Sequence, residues 1–231
     1  MAYSEPTKTE VPLQWDPIYR KYAFKFIQAF ARKYDGNPYV LFIDVTPGGE
    51  TNPCRGNLLK GDPAFREVFL NARLSDGTQY SDALWVKTVK GYIDVSAAAF
   101  KRTKLLVTLN HGGLEGPPNF ELFGSYAVGK GMYVGQNGLN KNSYKEASDR
   151  KRCFNRWDQE TKLFFEMVAA TSSPGTGTLL EVMQAAERIH CSFLAVSAPD
   201  VLKGLPGHPQ FDPEYAKALK YGASIMGKPA K

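Results

Sequence analysis

Five apolar stretches recur along the chain, and segments with a helical pattern separate them. The stretches cover residues 39–45, 104–110, 132–138, 162–170 and 191–198. Each has the length of a strand and leads into a polar loop rich in Gly or Pro. Strands that alternate with helices in this way are typical of consecutive βα units, whose strands run parallel in one sheet. The sequence therefore predicts an α/β fold with a parallel sheet.

Asp-Pro pairs introduce the first and the last of the predicted helices. Asp16 can cap a helix that begins at Pro17, and Asp212 with Pro213 repeats this signal near the end of the chain. Gly36 can end the first helix. One apolar face is predicted for that helix from residues at three- and four-residue steps, namely Ile18, Tyr22, Phe26, Ala29 and Phe30.

The loops after the strands decide among the α/β folds. None begins with a G-x-G-x-x-G or G-x-x-x-x-G-K-[ST] motif, which disfavours a nucleotide-binding doubly wound sheet. Long loops after the strands favour a (β/α)₈ barrel of TIM type, but a complete barrel has eight strands. We therefore predict a partial TIM-type barrel of about five βα units. A single domain is expected over 1–231, with an irregular segment at 1–14 and a loop at 155–161.

Composition excludes several function classes. The net charge of +6 comes from scattered Lys and Arg residues, which disfavours a nucleic-acid partner. The 3 Cys and 3 His residues have no metal-ligand or disulfide spacing, so neither a metal nor another cofactor is expected. No apolar run reaches membrane-spanning length, so no membrane partner is expected. The expected location is cytoplasmic, or secreted if an upstream leader is missing from this sequence.

The segment 15–50 contains motifs of a known enzyme clan. W-D-P-x-Y leads into A-F-A-R-K-Y-D-G-N-P-Y-V-L-F-I-D-V and then G-G-E. This succession resembles the middle of the TIM-barrel retaining glycoside hydrolases of the β-galactosidase-like and cellulase-like clan. The resemblance aligns the chain with the portion from the third helix through the eighth βα unit. It implies that 39–45 is the fourth strand of the barrel and that 162–170 is the seventh.

The resemblance also implies two catalytic carboxyl groups. Glu50 matches the acid/base position beyond the fourth strand, and Glu166 matches the nucleophile in the seventh. Retaining hydrolysis needs two carboxyl groups about 5–5.5 Å apart, of which one donates a proton and the other attacks the sugar. Apolar neighbours predict that Glu166 is buried, where a carboxylate is costly without a partner. The alternatives are an exposed loop residue for Glu50 and a structural Arg or Lys partner for Glu166.

Polar side chains at the ends of other strands are candidates for substrate binding. Asn110 and His111 follow the second apolar stretch, and Gln136 with Asn137 ends the third. Amide groups suit hydrogen bonds to neighbouring sugar hydroxyls, and Trp157 could stack on a sugar ring. The alternatives are a structural His, an ordinary Asn-Gly turn and plain packing of the Trp.

Two aspartates at strand ends are interpreted separately. Asp44 lies inside the first apolar stretch and is expected to hold an Arg or Lys within the barrel. Asp200 follows the fifth stretch and is a candidate site residue in the loop after it, which would be the loop of the eighth strand.

Two functions of different classes follow from these patterns. The first is a retaining glycoside hydrolase, or its catalytic part, acting on a β-linked carbohydrate. The alternative is a non-catalytic partial-barrel protein that binds carbohydrate or assembles with itself. An open sheet exposes edges that tend to pair with another chain. A homo-oligomer or a complementary N-terminal half-barrel is therefore expected as a partner.

Overall fold

The computed structural model describes residues 2–4, 9–11, 13–47, 71–109 and 117–226. The chain forms two compact units, residues 1–132 and residues 133–231. In the first unit the described elements are β1 (Ala2–Ser4), β2 (Thr9–Val11), α1 (Pro17–Tyr34), β3 (Phe42–Asp44), α2 (Asp82–Ala99), β4 (Lys104–Thr108) and α3 (Pro117–Gly129). In the second unit they are β5 (Tyr133–Leu139), α4 (Asp149–Trp157), β6 (Leu163–Met167), α5 (Leu179–Glu187), β7 (Phe193–Ala195), α6 (Ala198–Lys203) and α7 (Pro213–Ile225).

Strands β3 to β7 are ordered as in the chain, and each pairs with a neighbour inside its own unit. Within the first unit β3 pairs with β4 in parallel, and within the second unit β6 pairs in parallel with both β5 and β7. Sequential parallel strands joined by helices are the arrangement expected of βα units. The α/β prediction is therefore confirmed, and the sheet is consistent with a partial barrel. The TIM type of that barrel and the single domain stay predictions.

Residues at the start of the chain form strands where an irregular segment is expected. β1 and β2 pair in antiparallel register, with Ala2 opposite Val11 and Ser4 opposite Thr9. Thr9 and Val11 are β-branched residues, which favour strands. Each of the two strands is only three residues long, so the periodicity of the sequence could not distinguish them from an irregular segment.

The helix caps predicted from the Asp-Pro pairs are confirmed. Asp16 Oδ1 accepts hydrogen bonds from the backbone N–H groups of Ile18 (2.8 Å) and Tyr19 (3.2 Å). Asp212 Oδ1 accepts one from the N–H of Glu214 at 2.9 Å. Each bond satisfies a donor that has no partner within its helix, because the first helical N–H groups precede the i−4 pattern.

Much of the apolar face predicted for α1 stays exposed, although Phe30 at its end contacts Phe100 with ring centroids 6.4 Å apart. Ile18, Tyr22 and Phe26 are 56%, 62% and 67% exposed. The helix packs on α2 through other side chains: the rings of Phe24 and Tyr92, for example, lie edge to face with centroids 5.0 Å apart. Aromatic residues occur all round α1, so periodicity alone did not determine which side is covered.

The prediction of a loop at 155–161 is wrong for residues 155–157, because these residues complete α4. Ser148 caps this helix, and its Oγ accepts a hydrogen bond from the N–H of Lys151 at 3.2 Å. Only Cys153, Phe154 and Trp157 are buried among its nine residues. The charged residues between them conceal the helical period in the sequence.

An aromatic cluster joins α4 to the sheet of the second unit. The ring of Phe154 contacts the rings of Trp157, Phe165 and Tyr144 at centroid distances of 5.5, 5.0 and 6.0 Å, all edge to face. All four residues are buried. Such pairs contribute roughly 0.5–1.5 kcal/mol each beyond the burial of their area, so this cluster is a main source of stability in the unit.

One carboxylate at the end of α1 holds this helix beside the start of β4. Asp35 accepts hydrogen bonds from the backbone N–H groups of Lys101 (3.0 Å), Arg102 (2.9 Å) and Thr103 (2.8 Å). The bond from Thr103 is the main cause that lowers the pKa of Asp35 to about 2. The carboxylate thereby connects the end of α1 to the segment that enters β4.

None of the helices in the described part of the chain combines the length and the apolar character needed to cross a bilayer.

Candidate functional site

Glu166 and Asn137 lie side by side at the carboxyl ends of β6 and β5. The two residues are partners in the parallel register of these strands. Side chains of such partners project from the same face of a sheet, because both strands share one pleat. The sheet therefore brings a carboxylate and an amide together from positions 29 residues apart in the chain.

Glu166 is exposed, whereas Leu163, Phe165 and Met167 in the same strand are buried. The prediction of a buried carboxylate is therefore wrong: the apolar neighbours point to the opposite face of the strand, which the helices cover. The side chain of Glu166 forms no hydrogen bond or ion pair with a described residue, so no Arg or Lys in that part of the chain neutralises it.

Gln136 lies on the other face of β5. It is buried, its Oε1 accepts a hydrogen bond from the hydroxyl of Tyr144 at 2.5 Å, and its Nε2 donates to Asn137 O at 3.3 Å. Successive side chains of a strand alternate between faces, so Gln136 and Asn137 cannot share one. Of the two predicted amides, Asn137 is the one beside Glu166.

A bulge at the end of β5 sets the direction of the side chains that follow. The register with β6 shifts between Asn137 and Leu139, and Gly138 between them has a φ of +93°. Without the shift Asn137 and Leu139 would share a face, yet Leu139 is fully buried and Asn137 is not. The extra residue thus returns the apolar side chain to the core while the amide stays on the side of Glu166.

Trp157 lies in the aromatic cluster rather than on the surface. It is 1% exposed, and the guanidinium of Arg156 lies 5.9 Å from its ring centroid. This position favours the packing alternative over a sugar-stacking role. The remaining predicted site residues, Glu50, Asn110 and His111, lie outside the described residues, and their roles stay predictions.

A cleft lies within the first unit, separate from the strand ends that carry Glu166 and Asn137. It is a cleft of about 400 Å³ between α1, α2 and the end of β3. Aromatic rings dominate its lining, with Tyr19, Phe26, Phe30, Tyr92 and Phe100 among its walls. A cleft with apolar walls and few polar groups is the common form of a small-molecule site.

Asp44 is the carboxyl group in this cleft. Its Oδ1 accepts hydrogen bonds from the N–H of Thr46 (2.9 Å) and from the Thr46 hydroxyl, and its Oδ2 accepts one from the Thr108 hydroxyl at 3.2 Å. These partners replace the expected Arg or Lys, so that interpretation is wrong for the described residues. The Asp-x-Thr spacing that produces the turn was present in the sequence.

The surroundings of Asp44 favour its protonated form. Asp44 as a residue is exposed, but its carboxyl group lies against the cleft walls, which remove part of its water. This desolvation raises the pKa of Asp44 above its ordinary value, against the lowering effect of the Thr46 and Thr108 hydrogen bonds. A carboxyl group with a raised pKa can hold a proton and donate it.

No protein-family model matches the chain. Neither a curated protein nor a solved structure matches it. The functional assignment therefore depends on the residues of this chain and their geometry. Over the described ranges, no group of three or more His, Cys, Asp or Glu side chains is arranged to hold a metal ion.

Asp44 makes the stability of the protein depend on pH in a defined direction. Because its pKa is raised in the folded state, its contribution is fully present below the ordinary pKa of about 3.9 and is lost as the pH rises through the higher folded value. The free energy of unfolding of the wild type, minus that of Asp44→Asn, should therefore fall between pH 4 and neutrality. Urea denaturation followed by circular dichroism measures this difference.

Asp35→Asn is the matched control for this measurement. The pKa of Asp35 is lowered to about 2, so its contribution is present above the ordinary value and is lost as the pH falls through about 2. Between pH 4 and neutrality the difference for Asp35→Asn should therefore stay nearly constant, whereas the difference for Asp44→Asn should fall. A difference for Asp44→Asn that stays constant over the range would contradict the raised pKa.

Proposed function

We propose that the chain is the catalytic part of a retaining glycoside hydrolase that acts on a β-linked carbohydrate. The observation that carries the proposal is the exposed carboxylate of Glu166 beside Asn137 at the carboxyl ends of two parallel strands. Parallel sheets of α/β enzymes bind their substrates at this end of the strands.

Glu166 is the proposed nucleophile. A carboxylate can attack the anomeric carbon and form a glycosyl ester, which water then hydrolyses. The amide of Asn137 can hydrogen-bond a sugar hydroxyl next to the reacting carbon, where such bonds strengthen in the transition state. Glu50, from the resemblance, stays the proposed acid/base residue.

The direct test is hydrolysis of a panel of p-nitrophenyl β-glycosides by the purified chain. Release of nitrophenolate, which absorbs at visible wavelengths, should follow saturation kinetics for at least one sugar of the panel. The alternative retained from the sequence, a non-catalytic protein, is supported if the folded chain releases no nitrophenolate from any member.

A specific observation favours that alternative as the second candidate, in the form of self-assembly. Ile18, Tyr22 and Phe26 expose large apolar side chains along α1. Contiguous exposed apolar surface often marks a protein interaction site, and a second copy of the chain offers the same surface in return. The proposed assembly is therefore a homo-oligomer that uses this face of α1.

The oligomer is tested by size-exclusion chromatography with light scattering. The wild type should elute as a defined oligomer, and Phe26→Ser should shift the mass toward the monomer because an apolar contact is removed. Gln28→Ser, at an exposed position on another side of the same helix, is the control and should leave the mass unchanged. A monomeric wild type excludes this assembly.

A further inference from the structure

A cleft in the second unit has a different composition from the aromatic one. Its volume is about 760 Å³, within the roughly 300–1,000 Å³ typical of small-molecule sites. Lys141, the loop 171–178 and the first turn of α7 line it. Because Lys141 follows β5 and the loop follows β6, the cleft lies on the same side of these strands as their carboxyl ends.

Tyr215 is an aromatic ring held rigidly in the wall of this cleft. The hydroxyl of Thr171 donates its single proton to Asp200 Oδ1 at 2.7 Å, so it must accept the proton of the Tyr215 hydroxyl, also at 2.7 Å. Asp200 is fully buried and also accepts from the N–H of Thr171 at 2.9 Å. The ammonium of Lys203 lies 5.0 Å from the centroid of the Tyr215 ring. The ring orientation is therefore fixed before any ligand binds.

The opposite wall is also preorganised. The N–H of Lys141 donates to Thr176 O at 3.0 Å, and the Arg188 guanidinium donates to Lys141 O at 3.0 Å. Gly177, with a φ of +92°, lets the Lys141 side chain lie against the loop, since a Cβ there would come within 2.6 Å of Lys141 Cβ. These contacts hold the Lys141 backbone and the loop together.

The charges of the lining disfavour an anionic ligand. Three carboxylates and one ammonium contribute to it: Glu181, Asp212, Glu214 and Lys141. Glu181 already occupies the N-terminus of α5, because its Oε2 accepts the N–H and the hydroxyl of Thr178 at 2.8 and 3.1 Å. A phosphate in the cleft would therefore meet like charge rather than free donors.

Neutral hydroxyl groups complete the lining. Ser172 and Ser173 both contribute to the cleft, and their side chains form no hydrogen bond with a described residue. A fixed aromatic ring with hydroxyl groups near it, and little positive charge, is the combination that suits a sugar, whose C–H face stacks on the ring while its hydroxyls exchange hydrogen bonds.

We propose that this cleft binds a neutral saccharide unit, with Tyr215 as the stacking surface and with Ser172, Ser173 and Lys141 as hydrogen-bonding groups. The proposal deepens the proposed function, on which its biological role rests, by adding a saccharide-binding position that does not involve Glu166. Binding at this position does not require any covalent step.

The test uses titration calorimetry and saturation-transfer NMR on the full chain carrying Glu166→Gln, so that no probe is cleaved. The probes are cellotriose, laminaritriose and mannotriose, with inorganic phosphate as the anionic probe. At least one trisaccharide should bind, and Tyr215→Ala should weaken that binding at least tenfold. Tyr215→Phe keeps the ring and should stay within about threefold of the parent. Phosphate should not compete.

Two further variants test the contribution of the hydroxyl groups and the specificity of the Tyr215 effect. Ser172→Ala with Ser173→Ala removes both hydroxyls from exposed or half-buried positions and should weaken binding several-fold without unfolding the chain. Tyr221→Ala, on the same helix but bonded to Glu187 and absent from the cleft lining, should leave binding unchanged. Circular dichroism checks the fold of each variant.

Three results would overturn the cleft proposal: no trisaccharide binds, phosphate competes for the site, or the Tyr215→Ala and double Ser variants bind as the parent does. The outcome for the proposed function is separate. Hydrolysis of nitrophenyl glycosides by the wild type, with binding insensitive to Tyr215 and the two serines, refutes the cleft alone. Binding that depends on them, without hydrolysis of any glycoside, supports the cleft and refutes the hydrolase.

Discussion

Replacing Glu166 with Gln should lower the kcat for aryl β-glycosides by at least about 10³-fold, which corresponds to roughly 4 kcal/mol of transition-state stabilisation. An amide has the shape of the carboxylate but lacks the charge that attacks the anomeric carbon, so the covalent step is lost. The measurement is the rate of nitrophenolate release under saturating substrate.

The stability of this variant should be nearly unchanged. The side chain of Glu166 is exposed and has no hydrogen-bond or ion-pair partner among the described residues, so its replacement should change the free energy of unfolding by no more than about 0.5 kcal/mol. Glu160→Gln, at an exposed position shortly before β6, is the matched control and should retain full activity. Glu166→Gln with wild-type kcat would remove the nucleophile from the proposal.

The second large effect is expected on stability. Trp157→Ala should lower the free energy of unfolding by about 3–5 kcal/mol, because it empties a fully packed position next to Phe154. Domains of this size are typically stable by about 5–15 kcal/mol, so the variant should unfold at clearly lower urea concentration. Urea denaturation followed by far-ultraviolet circular dichroism measures the shift.

The same experiment separates the two interpretations of Trp157. Trp157→Phe retains an aromatic ring in the cluster and should lose distinctly less stability than the Ala variant. A sugar-stacking Trp would behave differently, since its removal would weaken saccharide binding and leave the unfolding curve within about 0.5 kcal/mol of the wild type. That second pattern would contradict the packing seen around α4.

Local signals in the sequence were sufficient for most of the elements. Asp16 and Asp212 mark helix starts because a cap depends on residues within one turn. The polar helix α4 was missed because charged residues separate its three buried side chains. The exposed side of α1 could not be predicted, because it depends on which neighbours cover the helix rather than on its own period.

The candidate sites depend on long-range pairing, which the sequence only partly reveals. That Glu166 ends a strand was predictable, but its exposure and its register with Asn137 depend on which face of β6 the helices cover. Asp200 was a candidate site residue from its position in a loop. Its hydrogen-bond partner Thr171 lies 29 residues earlier, so their contact could not be predicted from local sequence. The raised pKa of Asp44 was likewise not predictable from the sequence, because it depends on cleft walls that other elements provide.

Because of the bulge at Gly138, the number of residues between Asn137 and Leu139 decides which face each side chain occupies, more than the identity of the residues does. Adding one residue between Asn137 and Leu139 would return both side chains to one face and force a choice between an amide among hydrocarbon side chains and a leucine in water. Redesign of this segment should therefore vary side chains freely around it but leave the spacing from Asn137 to Leu139 untouched. Relatives of the chain that retain the Glu166 arrangement are expected to carry their insertions elsewhere.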